Sequence, residues 1–168
     1  MALLSVLQFP DKRLRTKAAP ITEVNAEIRT IIDNMFETMY EHSGIGLAAT
    51  QVNIHQRIIV MDVSENRTSP TCLINPEIIA REGVQYESEG CLSFPGVYDK
   101  VERAGKIRLR ALDQNGKGYE MDADELLSVC IQHEMDHLDG ILFVDHLSRL
   151  KQERARKKLD KLRHANSE

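Results

Sequence analysis

Two histidines four residues apart, with a glutamate beside the first, are the residues of this chain best suited to chemistry. They lie in the segment QHEMDH at positions 132–137. A helix turns by about 100° per residue, so His133 and His137 return to the same face and can bind one metal ion. Glu134 lies beside the first ligand, where it can act as a general base on water. The segment therefore predicts a catalytic metal site on a helix.

A third protein ligand is expected beside these two histidines, because a catalytic metal usually has three protein ligands and one open position. The metzincin pattern would place a histidine at position 143, which is Phe143. Glu153 lies in a strongly basic segment that is typical of a solvated surface. Cys130 lies about 10 Å from His137 along the helix axis, too far to share an ion with it. The third ligand must therefore come from upstream.

Cys91 is the best upstream candidate. It lies in EGCLSFPG at positions 89–96, a segment bounded by Gly and Pro, whereas Cys72 and Cys130 lie inside apolar runs. The alternative is that Cys91 is simply a small buried apolar residue, the usual role of a lone cysteine. Three cysteines in a reducing compartment favour free thiols or metal ligands over a disulfide framework.

The elements that must position these residues can be predicted from hydrophobic periodicity and turn residues. Helices are predicted at 24–40, with Thr22 as a candidate N-cap, at 125–138, with Asp124 as cap and Gly140 as terminator, and at 148–164. Strands are predicted at 57–63, 71–79, 106–113 and 119–123, with Asn75-Pro76 at a bulge or sheet edge. This order predicts an α+β fold, with mostly antiparallel strands packed around a buried metal-binding helix and one further helix near each end.

Charge divides the chain into two parts. The 168 residues carry a net charge of −4, whereas residues 148–168 carry eight Lys/Arg against three Asp/Glu. That tail therefore has a charge of +5 and the remaining residues −9, which predicts an anionic partner for the tail. We expect one catalytic domain over 1–147, with 148–168 as a basic C-terminal helix of the same domain.

No apolar run approaches the roughly 18 residues that a membrane span needs, and the N-terminal apolar run lacks the features of a signal peptide. We therefore expect a cytoplasmic protein that does not enter a membrane. We expect no sequence-specific binding of nucleic acid either.

Three segments in order, GIGLAATQ at 44–51, EGCLS at 89–93 and QHEMDH at 132–137, resemble the three motifs of the peptide deformylases. These bacterial enzymes remove the formyl group from the starting methionine of new proteins. The resemblance covers essentially the whole chain and implies that family's α+β fold. It also implies N-formyl-methionyl nascent peptides as substrates and, through the basic tail, docking on the ribosome.

The resemblance implies a role for each matching residue. Cys91, His133 and His137 would bind the metal, and Glu134 would move the proton. The Leu92 backbone N–H and the Gln51 amide would meet the developing oxyanion. Six further residues would hold the substrate: Ile45, Gly46 and Gly90 along its main chain, and Ile45, Leu126, Val129 and Cys130 around its methionine side chain.

The metal and the substrate's second residue are less directly implied. A Cys/His/His set with an open position by itself favours zinc. The resemblance implies one ferrous ion per chain, with zinc, nickel or cobalt as substitutes. Glu87 and Tyr98 stand where some relatives carry an apolar and a basic residue, which leaves the preference beyond methionine open.

Two other functions share part of the pattern. A metalloprotease of the H-E-x-x-H type would need a third ligand after the motif, and only 31 residues follow His137. A structural or regulatory zinc domain would need four protein ligands and would give Glu134 no task.

Overall fold

The computed structural model describes residues 2–167 and has the predicted α+β fold. It contains three helices, α1 (Ala26–Glu41), α2 (Glu125–Leu138) and α3 (Arg149–Ser167). The seven strands are β1 (Gly46–Ala48), β2 (Ile58–Met61), β3 (Thr71–Glu82), β4 (Gln85–Cys91), β5 (Phe94–Arg103), β6 (Lys106–Leu112) and β7 (Gly118–Asp124). Among residues 2–167, no helix is long and apolar enough to cross a membrane.

The strands form a five-stranded sheet in the order β1-β2-β3-β6-β7 and a separate β4-β5 hairpin. Every pair of these named strands is antiparallel, as expected. The bulge predicted at Asn75-Pro76 is confirmed, because the β3-β6 register shifts between Ile74 and Glu77. Asn75 adopts φ 51° there.

The larger sheet lies between α1 and α2, and β2 shows why. All four of its residues are buried, which is typical of a strand covered on both faces. Ile58 and Val60 belong to the cluster that α1 completes, whereas Ile59 and Met61 belong to the cluster that α2 completes. Successive side chains point to opposite faces, so one strand anchors both helices.

The predicted ends of helices α1 and α2 are confirmed only in part. The side chain of Asn25, not Thr22, caps α1, accepting the N–H of Ile28 at 3.0 Å. Asp124 occupies the N-cap position of α2 but makes no side-chain capping bond. Gly140, with φ 77°, ends α2 as predicted, since its N–H bonds the carbonyl of His137 at 3.1 Å.

The segment around Cys91 also differs from the prediction. It is a hairpin rather than a loop, and Cys91 is the last residue of β4, paired with Phe94 of β5. The strands were missed because β4 exposes polar side chains on both faces for most of its length, leaving no alternation to recognise.

Candidate metal centre

Cys91, His133 and His137 come together although 42 positions separate the first two. One ligand atom from each residue lies within 4.8 Å of the others, and among the described residues this is the one such His/Cys/Asp/Glu group. Cys91 Sγ lies 3.2 Å from His137 Nε2. The two imidazole rings meet edge to face, with centroids 5.0 Å apart. The predicted ligands thus form one compact donor set.

A buried carboxylate fixes the orientation of the first histidine. Glu89 Oε1 lies 2.8 Å from His133 Nδ1, so the ring's Nε2 is directed to the opposite side. Carboxylates commonly hold metal-binding histidines in this way. By contrast, Nδ1 of His137 is buried with no hydrogen-bond partner among the described residues.

Glu89 is in turn held by Arg103, whose Nε and Nη2 each donate a hydrogen bond of 2.9 Å to its carboxylate. Both side chains are only 4% exposed. Burial alone would raise the pKa of Glu89, but the hydrogen bonds from Arg103 and His133 lower it on balance. Sequence reasoning assigned no role to Glu89 or Arg103. Glu89 was within reach as the first residue of EGCLS, but no local signal indicated Arg103.

The surroundings of these ligands fit a cation. Burial lowers the pKa of His133, but the hydrogen bond with Cys91, the charge of Glu134 and the hydrogen bond with Glu89 raise it well above its ordinary value. Burial lowers the pKa of His137 well below its ordinary value. The two shifts oppose each other, so the fit to a cation rests on the donor atoms: one cysteine sulfur and two imidazole nitrogens suit a zinc or ferrous ion.

Glu134 lies beside the ligands, and one of its carboxylate oxygens is unpaired among the described residues. It is 4% exposed, and its Oε1 has no hydrogen-bond partner among the described residues. Burial is the main cause that raises its pKa to about 7. Its Oε2 lies so close to Gly46 that a Cβ at that position would meet it at 2.6 Å. Only glycine at position 46 leaves room for this carboxylate.

Gln51 is 1% exposed and held at both ends of its amide. Its Oε1 accepts the N–H of Ala48 at 2.9 Å, and its Nε2 donates to Ser93 Oγ at 3.1 Å. Nε2 also lies 3.5 Å from Cys91 Sγ. The amide N–H₂ is therefore fixed beside the ligands.

A cavity of about 600 Å³ opens over the donor set. Eleven of the twelve predicted site residues line it: Ile45, Gly46, Gln51, Gly90, Cys91, Leu92, Leu126, Val129, Cys130, His133 and Glu134. The twelfth, His137, is fully buried beneath it. Tyr98 also lines the cavity, as does Glu89. Glu87 does not belong to its lining.

Two strand edges face each other across this cavity. Among the named strands, β1 pairs only with β2, and β4 pairs only with β5. The cavity is lined by Ile45 and Gly46 on the first side and by residues 88–92 on the second. An extended peptide can add to such unpaired edges through main-chain hydrogen bonds.

The other two cysteines have different surroundings. Cys72 lies on β3, where burial is the first cause that raises its pKa to about 12. Burial also raises the pKa of Cys130 well above its ordinary value, and its Sγ lies 3.8 Å from the carbonyl of Ile45. Both thiols therefore stay protonated, unlike a metal-binding thiolate.

The chain is similar to known proteins in both sequence and fold. Residues 3–153 match the model of the polypeptide deformylase family. The chain is 57% identical over 169 residues to a protein of Pseudomonas syringae pv. tomato named peptide deformylase 1, covering 99% of this chain and 100% of that protein. It also resembles the crystal structure of a peptide deformylase from Legionella pneumophila, with a TM-score of 0.95, 43% identity and 98% of both chains covered.

A second solved structure carries a ligand. The peptide deformylase from Ehrlichia chaffeensis in complex with actinonin matches with a TM-score of 0.92 and 40% identity, covering 96% of this chain and 98% of that one. The likeness in sequence and in fold therefore extends over nearly the whole chain.

Proposed function

The chain belongs to the polypeptide deformylase family, and we propose that Cys91, His133 and His137 bind the metal of this metalloenzyme. The protein is a hydrolase that removes the formyl group from the N-terminal formyl-methionine of newly synthesised proteins and releases formate. The observation that carries the ligand assignment is the meeting of three donor atoms within 4.8 Å at the floor of a cavity. A divalent ion held by these residues would supply Lewis acidity, which polarises a carbonyl and lowers the pKa of water.

Glu134 moves the proton in this proposal. Its free Oε1 can accept a proton from the attacking water and later deliver it to the leaving amine. A pKa near 7 suits both transfers, because a group that gains and loses a proton works best when its pKa is close to the working pH.

Gln51 and Leu92 stabilise the oxyanion that forms as water adds to the formyl carbon. The Gln51 amide is already held beside Cys91, so it needs little reorganisation when charge develops. The Leu92 N–H belongs to the peptide unit that follows Cys91, which ties this donor to the donor set. One such donor typically contributes about 3 kcal/mol to the stability of the transition state.

The substrate lies between the two strand edges. Ile45, Gly46 and Gly90 hold its main chain, as in strand addition at a sheet edge. Leu126, Val129 and Cys130, together with Ile45, surround the methionine side chain. All four are apolar residues of the cavity lining. A thioether suits an adaptable apolar slot.

One experiment separates this function from its rivals. The protein is incubated with formyl-Met-Ala, acetyl-Met-Ala and an unblocked peptide, and formate and free amino groups are measured. We expect formate from the first substrate alone. Cleavage of an internal peptide bond would indicate a metalloprotease, and no turnover by the fully metallated protein would indicate a structural metal site.

Iron is the physiological metal in our proposal, with zinc, nickel or cobalt as substitutes. A ferrous ion beside the Cys91 thiolate makes both sensitive to oxidation, whereas zinc has no redox chemistry. Protein purified without oxygen should contain one iron per chain and lose activity on exposure to peroxide. A zinc-loaded sample is the control and should keep its activity. Iron-loaded protein that stays fully active after long exposure would contradict this assignment.

The basic helix, residues 148–168 in our division of the chain, docks the enzyme on the ribosome, and residues 1–147 carry the chemistry. We place the protein in the cytoplasm, where formylated nascent chains emerge. Support comes from four exposed basic residues, Arg154, Lys157, Lys158 and Lys161, whose spacing puts them on one face of α3. Such a face suits phosphate-rich RNA, and the binding should weaken steeply with salt.

A further inference from the structure

The short 3-10 turn Phe143–His146 lies between the metal helix and the basic helix, and sequence reasoning gave it no role. Its first residue occupies the position at which metzincins have their third histidine ligand. We propose that this turn, although it donates no ligand, positions the metal ligand His133 through Phe143 and His146. The inference rests on the proposed metal ligands.

Phe143 acts on the ring of His133 directly. The two ring centroids lie 5.9 Å apart with an angle of 25° between the planes, an offset stack. Phe143 is itself 1% exposed and meets the edge of Phe94 with centroids 6.0 Å apart. The His133 imidazole is therefore supported on its face by a side chain that cannot easily move.

His146 acts on His133 indirectly, through a chain of charged groups that ends at the ring's Nδ1. His146 Nε2 lies 2.8 Å from Asp136 Oδ2, and the same oxygen accepts a hydrogen bond of 2.6 Å from Arg103. Arg103 donates two hydrogen bonds to Glu89, whose Oε1 lies 2.8 Å from His133 Nδ1. His146 thereby helps to fix the carboxylate that orients His133.

The turn is anchored well enough to hold other groups. Asp145 accepts hydrogen bonds from both terminal nitrogens of Arg15, at 2.5 and 3.0 Å. It also accepts the backbone N–H of Leu142 at 2.9 Å. Because Arg15 also donates to the carbonyl of Gly140, the turn and the end of the metal helix share one attachment to the N-terminal segment.

Two substitutions test the two routes separately in the full-length protein loaded with Co²⁺. Phe143→Leu removes the stacked ring but keeps an apolar side chain, and His146→Phe keeps a ring but removes the bond to Asp136. We expect each variant to release cobalt to a chelator about 10-fold faster, because residues that support a ligand typically contribute about 10–100-fold to metal affinity. We also expect a changed visible spectrum of the bound cobalt, which general destabilisation would not produce.

Phe36→Leu is the matched control, because Phe36 stacks on Tyr40 within α1, which packs on the opposite face of the sheet. It should release cobalt at the wild-type rate. His146→Phe keeps the test decisive if Phe143→Leu folds poorly, since His146 is 38% exposed at its side chain. Wild-type release rates and spectra in both test variants would overturn the proposal. A wild-type protein that binds no stoichiometric cobalt would instead contradict the ligand set.

Discussion

Helices α2 and α3 both carry many ionisable side chains, but they place them in opposite environments. His133, Glu134 and His137 of α2 are buried. On α3, Ala155 and Leu159 are buried, whereas most of the basic side chains between and after them are exposed: Arg156, Lys157, Lys158 and Lys161. Burying an ionisable group is costly unless it is paired, so the three on α2 need partners, and a bound metal ion would supply one. On α3 they cost little and can serve a partner.

The largest effect on activity should come from replacing Cys91, the proposed metal ligand that lies outside α2. Cys91→Ala should abolish stoichiometric metal binding and deformylation, because two histidines alone do not hold a catalytic ion. Metal content after gel filtration and formate release measure the two losses. Cys72→Ser is the control and should leave both near normal. Tight metal binding with full turnover in Cys91→Ala would show that the site is assigned wrongly.

Glu134→Ala should keep the metal but lose activity by about 10²–10⁴-fold, the usual contribution of a general acid or base. The matched change on α3 is Glu153→Ala, which alters an exposed carboxylate and should leave kcat unchanged. Measuring kcat with metal-saturated protein separates catalysis from metal loss. If Glu134→Ala retained turnover within a few-fold of wild type, the two helices would not differ in the way proposed.

The inner face of α3 should behave like core rather than like its charged face. Leu159 is 1% exposed, and Leu159→Ala should lower the free energy of unfolding by about 2–5 kcal/mol. Leu150, a leucine in the first turn of the same helix, is by contrast 57% exposed. Leu150→Ala is the control and should change stability by less than about 0.5 kcal/mol. Equal losses in denaturant unfolding would contradict this division.

The smallest effect on catalysis should come from the charged face of α3. Changing Arg154, Lys157, Lys158 and Lys161 to Gln together should leave activity on formyl-Met-Ala unchanged but abolish co-sedimentation with ribosomes at low salt. Substitution is a sharper test than deleting the helix, because deletion would also remove Leu159 from the core.

The control for that variant changes net charge equally. Gln replaces four exposed basic residues within residues 1–147, namely Arg29, Lys106, Arg110 and Lys117. This protein should still sediment with ribosomes. If the α3 variant sediments as well as wild type, the basic helix is not the anchor.

Sequence reasoning succeeded where a local pattern carries the structure. Helix α1 was predicted at residues 24–40 and runs Ala26–Glu41, because a single apolar stripe at helical spacing specifies both the element and its buried face. Strands β6 and β7 begin and end within about one residue of the predicted 106–113 and 119–123, because apolar and polar residues alternate cleanly along β6 and Asn115-Gly116 forms a turn before β7. By contrast, β4 lacks such alternation. Burial does alternate along β5 from Val97 to Arg103, but Asp99 and Arg103 occupy two of the inward positions, so the apolar period is hidden in the sequence.

For the site, the sequence by itself determined what lies within one turn of one helix. His133 and His137 share a face because the helix period requires it, and Glu134 adjoins them for the same reason. Only the tertiary structure decided that Arg103 reaches both Glu89 and Asp136, and that Phe143 stacks on His133. Those contacts depend on strand register, on a turn anchored by Arg15 and on the packing of separate elements. None of these produces a periodic pattern of residues in the sequence from which it could be predicted.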